Sequence, residues 1–538
     1  MEVTLPSAAS NALRPPLRDA VINPAPTSVS WGPKPVIELR VVADLIPDGS
    51  TVFVGGSGGG LQEPTNLLRA LGGHVQGGRN PHSLTVWHCS GIGDKKGGGL
   101  SLLKAPGKLR RVVGAHWGMS IELARLAENN ELEAYNLPQG VISHLLRSTG
   151  SGAPGLFTQV GLRTFVDPRV DGGKLNKVTK EEIVDLVTVA GEEYLYFKAP
   201  HLDVCLLRAT TADEHGNLSF ENEAALLEPM EAALATHRAG GIVIVEVQKY
   251  VSTGTLNPRD VRVPGLLVDY LVVGEPFMQT SETRLEPGYT GAYRVPVGSM
   301  PKLAQGMRRI IAERAYEEIQ PGQLVNLGVG MPDGIAKLAA ERGELDRIAF
   351  AVEQGHIGGT PAGGIEFGAV YNAACSLTAP QQFDLFDGGH LDIAFLGMAE
   401  VDGDGNVNVS RYGGGITGAG GFINITQGTH KVVFCGSFTA GGLDVEIGDE
   451  GLSVKTEGRH AKFVERVGHL TFSGKRAKEL GQEVLYVTER AVFKLTDEGV
   501  ELVEVVEGVD IERDIIAHMG FTPLIKDVQT IRFKGEKK

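Results

Sequence analysis

HLDVCLLRATTADEHGNLSF, residues 201–220, and HLDIAFLGMAEVDGDGNVNVS, residues 390–410, are one pattern written twice. His201 aligns with His390, and no gap is needed to bring Gly216 and Asn217 onto Gly405 and Asn406. Each copy opens on an apolar run of strand length and closes on a Gly-Asn turn. Two more blocks recur upstream in the same order. IPDGSTVFVGGSG (46–58) resembles IQPGQLVNLGVGM (319–331), with Gly49 on Gly322 and Gly55 on Gly328. SLTVWHCSG (83–91) resembles RIAFAVEQG (347–355), with Gly91 on Gly355. Three blocks in constant order predict two copies of one domain.

Around these blocks, short β-branched runs alternate with helical patterns. TVFVG (51–55), SLTVW (83–87), GIVIVEV (241–247) and LLVDYLVV (266–273) read as buried strands, and 61–71 and 121–132 read as helices. The expected fold class is therefore α/β, as two similar open α/β domains with mostly parallel sheets. The predicted layout is a Pro/Ala-rich arm (1–36), a first half (37–273), a Pro/Gly-containing linker (274–300), a second half (301–525) and a tail (526–538).

The 538 residues are 42% hydrophobic and 22% charged, the balance of a globular protein with more than one core. A net charge of −14 argues against nucleic acid and anionic membrane as partners, while leaving room for a small anion held by backbone amides. Four cysteines without a CxxC pair read as free thiols. No apolar run reaches the ~18 residues of a membrane span, and the start lacks a secretory pattern, so a cytoplasmic setting is expected.

The alignment also exposes an asymmetry: Glu353 of the second copy stands where the first has Cys89. Glu353 follows an apolar strand and opens a Gly-rich turn, the edge where open α/β sheets bind ligands. A carboxylate there can be a nucleophile or base, and it can equally be a helix cap or turn residue. NLGVGMPDGIAKLA (326–339) reads as strand, turn and helix, with VGGSGGGLQEPTNLL (54–68) its counterpart. GGGITGAGGFINIT (413–426) can aim amides at an oxyanion or be a plain loop. KAPGKLRR (104–111) can meet a phosphate or be a solvated face. DGDGN (402–406) fails as a calcium loop, since Val407 and Gly413 occupy the sixth and twelfth positions. His88, His116, His356 and His390 have no metal-ligand spacing, so no metal is expected.

With these segments quoted, the chain resembles the family I CoA-transferases, in the acetate/propionate branch with both halves on one chain. The resemblance runs from about 37 to 525. It is carried by YNLPQGVISHLLR (135–147), GLRTFVDPR (161–169), NLGVGMPDG (326–334), VEQGHIGGTPAGG (352–364), LDIAFLGMAEVDGDGNVNVS (391–410) and GAGGFINITQ (418–427). It implies that Glu353, in E-x-G-x-x-G-G, is a nucleophile passing CoA from a short-chain acyl-CoA to a free carboxylic acid by ping-pong through a glutamyl-CoA thioester. It also implies Gly420 and Gly421 as oxyanion donors, and Gly328, Val329, Gly330 and Gly418 as the coenzyme A side of the site. Coenzyme A is then a substrate and no cofactor is resident; a homo-oligomer is expected. Gln354, His390 and the GGSGGG loop with Gly56 and Gly58 depart from the family pattern, and are the candidates for an acyl pocket. An acyl-CoA hydrolase and a non-catalytic acyl-CoA sensor are the alternative readings.

Overall fold

The computed structural model describes residues 30–296, 302–448 and 451–532. Most of the Pro/Ala-rich arm therefore lies outside the described residues.

The first half is built on a sheet with β1 (Thr51–Val54), β2 (Leu84–His88), β3 (Leu109–Gly114), β4 (Glu133–Asn136), β5 (Val204–Asp213), β6 (Ile242–Val251) and β7 (Tyr270–Val273). They lie side by side as β4-β3-β2-β1-β5-β6-β7, and every neighbouring pair is parallel. β5 is buried along its whole length, as a strand covered on both faces must be. The run 266–273 is strand only from Tyr270, since Gly265–Leu267 makes a 3-10 turn first.

The second half repeats the plan. β8 (Leu324–Leu327), β9 (Ala349–Ala351), β10 (Leu391–Gly397), β11 (Thr429–Cys435) and β12 (Glu483–Val487) lie as β9-β8-β10-β11-β12, all parallel. The sequence repeat is visible in the register. Val52 of β1 sits between Val204 and Val86, and Val325 of β8 sits between Ile393 and Phe350. The turns match as well: Asp213 accepts from the backbone and side-chain nitrogens of Asn217 at 3.0 and 2.9 Å, and Asp402 does the same for Asn406 at 3.1 and 3.1 Å. DGDGN is thus a hydrogen-bonded turn whose carboxylate is already engaged.

The copies diverge at their edges. β2 continues into parallel β3 and β4, whereas β9 is followed by a reversal into the antiparallel ribbons His356–Ile357 and Cys375–Ser376. At the far edge β12 is extended by β13 (Ala491–Thr496), β14 (Gly499–Val506) and β15 (Leu524–Ile531). The expected tail from 526 is corrected here: residues through Ile531 belong to β15, paired in parallel with β14.

The segment after β7 is folded onto the second half rather than spanning free space. Thr280, Thr283 and Tyr289 all donate hydroxyls to the carboxylate of Glu366, at 3.2 Å from Thr280 and 2.8 Å from Tyr289. Val295 exchanges two 2.8 Å hydrogen bonds with the Asn372 side chain.

Candidate active site

Glu353 stands two residues past β9, at the carboxyl edge of the second sheet. The chain turns back at once: Gly355 donates to Val352 O at 3.0 Å, and Val352 to His356 O at 3.1 Å. Gly355 has φ +108°, and a Cβ there would come within 2.1 Å of Leu377 O, so only glycine fits. The turn that gives the motif its glycine thereby fixes where the carboxylate points.

The Glu353 side chain is half-buried, with Oε2 enclosed and without a partner. Burial lifts its pKa to about 7, partly offset by its own backbone amide and the Gln354 side chain. A desolvated carboxylate without a cation beside it is a stronger nucleophile than a solvated one.

The first half supplies the other wall. Gln354 is buried, with Nε2 3.3 Å from Ser57 Oγ, and packs over Gly368. Ser57 lies between Gly56 and Gly58 in the GGSGGG loop, which packs so closely on residues 365–367 that a Cβ on Gly59 would meet Ile365 O at 2.2 Å. Glu353, Gln354, Gly56 and Gly58 are therefore brought to one seam.

Two groups there have contacts that the sequence did not signal. His356 Nε2 donates to Ala224 O at 2.6 Å, and its Nδ1 accepts from Ser376 Oγ at 2.8 Å. Burial lowers its pKa, so the ring is neutral and pins the Glu353 turn to the first half. Ala379 N–H adds a 2.9 Å bond to Leu227 O. Asn326, level with Ala351 in the sheet, donates to Ala351 O at 3.0 Å and keeps a buried Oδ1 without a partner.

Gly328, Val329 and Gly330 form the turn after β8, on the same edge; Gly328 N–H is bound to Phe395 O at 2.8 Å and Val329 is 57% exposed. Two expectations are corrected. The Gly420 amide, expected as an oxyanion donor, donates to Ala115 O at 2.8 Å, and the amide of Gly418, expected on the coenzyme A side, donates to Ser410 O at 2.9 Å, so in this arrangement neither is free for a substrate. Gly421 opens the short helix Phe422–Gln427 against Phe383. His390 is exposed at the start of β10, the end opposite Glu353, and so lies outside any acyl pocket at that carboxylate. The basic run is consumed internally: Arg111 pairs with Glu133 and Glu181, and Lys108 donates to Arg79 O.

The position equivalent to Glu353 shows no such opening. Cys89 is buried and hydrogen-bonded to Glu228, and burial pushes the thiol well above its usual range and Glu228 to about 8. Both stay protonated at neutral pH, and a thiol is a poor nucleophile.

The chain is 44% identical over 498 residues to caffeate CoA-transferase of Acetobacterium woodii, covering 91% of this chain and 94% of that one. It is a coenzyme A transferase. The family profile of that description matches residues 39–274. Acetate CoA-transferase YdiF of Escherichia coli K12 is 42% identical, over 92% of this transferase and 93% of YdiF. The crystal structure of acyl-CoA transferase YdiF from Escherichia coli O157:H7 in a thioester complex with CoA superposes with a TM-score of 0.89, at 40% identity, covering 93% of this chain and 95% of that one. This transferase moves CoA between an acyl-CoA and a free acid, with CoA as substrate. No helix among the described residues is long and apolar enough to cross a membrane.

Proposed function

We propose that Glu353 is the nucleophile of this transferase and that the acyl and acid substrates meet it in the seam between the halves. The observation that carries this reading is an enclosed carboxylate oxygen at a strand end, raised by desolvation and facing no cation. The Glu353 carboxylate attacks the thioester carbonyl, CoA thiolate leaves and a mixed anhydride forms. The thiolate then attacks the glutamyl carbonyl, giving the enzyme–CoA thioester and releasing the first acid. A second carboxylate reverses both steps. Thioester and anhydride are both activated acyl groups, so CoA passes through without a further energy source. Each amide aimed at the oxyanion supplies about 3 kcal/mol, and Gly421 is the remaining candidate of its loop. Gln354 and the loop with Gly56 and Gly58 form the acyl wall. Gly328, Val329 and Gly330 border the coenzyme A side.

Incubation with an acyl-CoA followed by borohydride should reduce one glutamate, read by peptide mass; a label on any residue but Glu353 removes the assignment. Coenzyme A release that is independent of added acid would instead favour a hydrolase. A panel of short-chain, dicarboxylic and hydroxy acids as acceptors for acetyl-CoA identifies the acid. A cytoplasmic setting fits four free cysteines, three of them buried. Assembly into a homo-oligomer belongs to the same reading and is read by sedimentation.

The raised pKa makes a prediction about pH. The attacking form is the carboxylate, so the rate of thioester formation should fall about tenfold per pH unit below about 7 and level off above it. Gln354→Leu removes a donor that holds the carboxylate down, so its acid limb should lie at higher pH than that of the wild type. Rapid-quench rates between pH 5.5 and 8.5 decide this, and a limb near an ordinary carboxylate value would contradict it.

A further inference from the structure

Glycine ends or follows three adjacent strands of the second sheet: Gly328 after β8, Gly397 at the end of β10 and Gly436 after β11. They line a side-chain-free edge that starts beside Glu353 and crosses the sheet. At its far end is Lys462. Its side chain lies over the α-carbon of Gly436, where a Cβ would meet Nζ at 2.7 Å and the Met398 side chain at 3.1 Å. Lys462 is only 9% exposed, yet among the described residues Nζ has no hydrogen-bond acceptor and no carboxylate within ion-pair reach. The charge that acts on it is that of Glu489. That carboxylate is already bound by Arg490 Nε and by Phe438 N–H, each at 2.8 Å, and Arg490 is bound in turn to Glu457. A largely buried ammonium that still reaches solvent and has no carboxylate beside it is open to a ligand anion.

We propose that Lys462 binds a phosphate group of the coenzyme A substrate, with the pantetheine arm laid along the glycine edge between it and Glu353. Two and a half strand spacings separate β9 from the gap between β10 and β11, about 12 Å. An arm whose sulfur reacts at Glu353 and whose diphosphate lies many bonds away spans that distance; the second carboxylate of a short dicarboxylic acid does not. The inference rests on the transferase reading, and it supplies the positive charge that an acidic protein needs for a tetra-anionic substrate. Burial also lowers the Lys462 pKa to about 8, in keeping with an ammonium waiting for its counter-ion.

The test is Lys462→Met and Lys462→Arg, with an acyl-CoA and the matching S-acyl-pantetheine as donors. Lys462→Met should raise the acyl-CoA KM about 10- to 100-fold and shrink the preference over S-acyl-pantetheine by the same factor, with Lys462→Arg recovering part of it. Binding of 3′-phosphoadenosine 5′-diphosphate, read by calorimetry, should weaken in parallel. It should also weaken in the wild type as pH rises past about 8, and lose that dependence in Lys462→Met. An unchanged acyl-CoA KM, an equal loss with both donors, or a rise in the KM of the acid alone overturns the proposal. Wild-type protein that binds acyl-CoA but forms no glutamyl thioester with either donor would sink the reading of Glu353 as nucleophile instead.

Discussion

Glu353→Gln should lower CoA transfer by about 10⁴-fold or more, because the amide keeps the shape of the side chain and lacks the attacking oxygen anion. Glu353→Asp keeps the charge but withdraws it by one methylene, and a loss of about 10²-fold is expected from misplacement alone. The fold should survive in both. Between pH 4.5 and about 7 the folded state holds a proton on Glu353 that the unfolded chain has released, so stability falls as pH rises through that window. Glutamine escapes this loss, and Glu353→Gln should melt no lower than wild type at pH 8. Initial rates, acyl-CoA binding and melting curves together decide the matter. Residual transfer within tenfold of wild type would show that another group attacks.

The second large effect is on stability. Arg208, in β5, places Nε and Nη2 on the two oxygens of Glu223 at 2.9 and 2.7 Å, Nη1 on Glu63 O at 2.9 Å and Nη2 also on Gln279 O at 3.3 Å. Its side chain is 2% exposed and that of Glu223 is fully buried. Arg208→Met strands a buried carboxylate and two carbonyls, and should cost about 3–5 kcal/mol. Arg208→Met with Glu223→Leu should recover much of it, since the apolar pair leaves no lone charge. Denaturant midpoints of the four proteins form the cycle. A loss under about 1 kcal/mol in the single variant would mean the ion pair is not what holds this corner. Glu63 lies just past the glycine loop, so the same variant should loosen the wall opposite Gln354.

The duplication was legible because strands leave short-range marks: an apolar run of fixed length, then glycine at the turn. Those marks recur as the matched registers of Val52 and Val325. Glu353 stands out in the sequence because its copy is Cys89, and because its glycine motif reflects a φ and a clearance that only glycine meets. The rest depended on distant partners. His356 meets Ala224 across 132 positions and Gln354 meets Ser57 across 297. Neither pairing leaves a local pattern. His390 drew attention as a departure from the family pattern, and only the fold shows that it opens β10 at the end opposite Glu353. Lys462 stands in a mixed polar stretch, and only folding isolates its ammonium. The basic run, conspicuous in sequence, proved to be neutralised by Glu133 and Glu181.

The clasp of Thr280, Thr283 and Tyr289 on Glu366 has a genetic consequence. Among the described residues, the contacts named between the segment after β7 and the second half, up to the Val295 pair with Asn372, are hydrogen bonds. A gene broken just beyond that point would leave each contact on its proper side, and two separately translated chains should find each other through the same hydroxyls. One cistron or two is then a choice about expression, not about architecture.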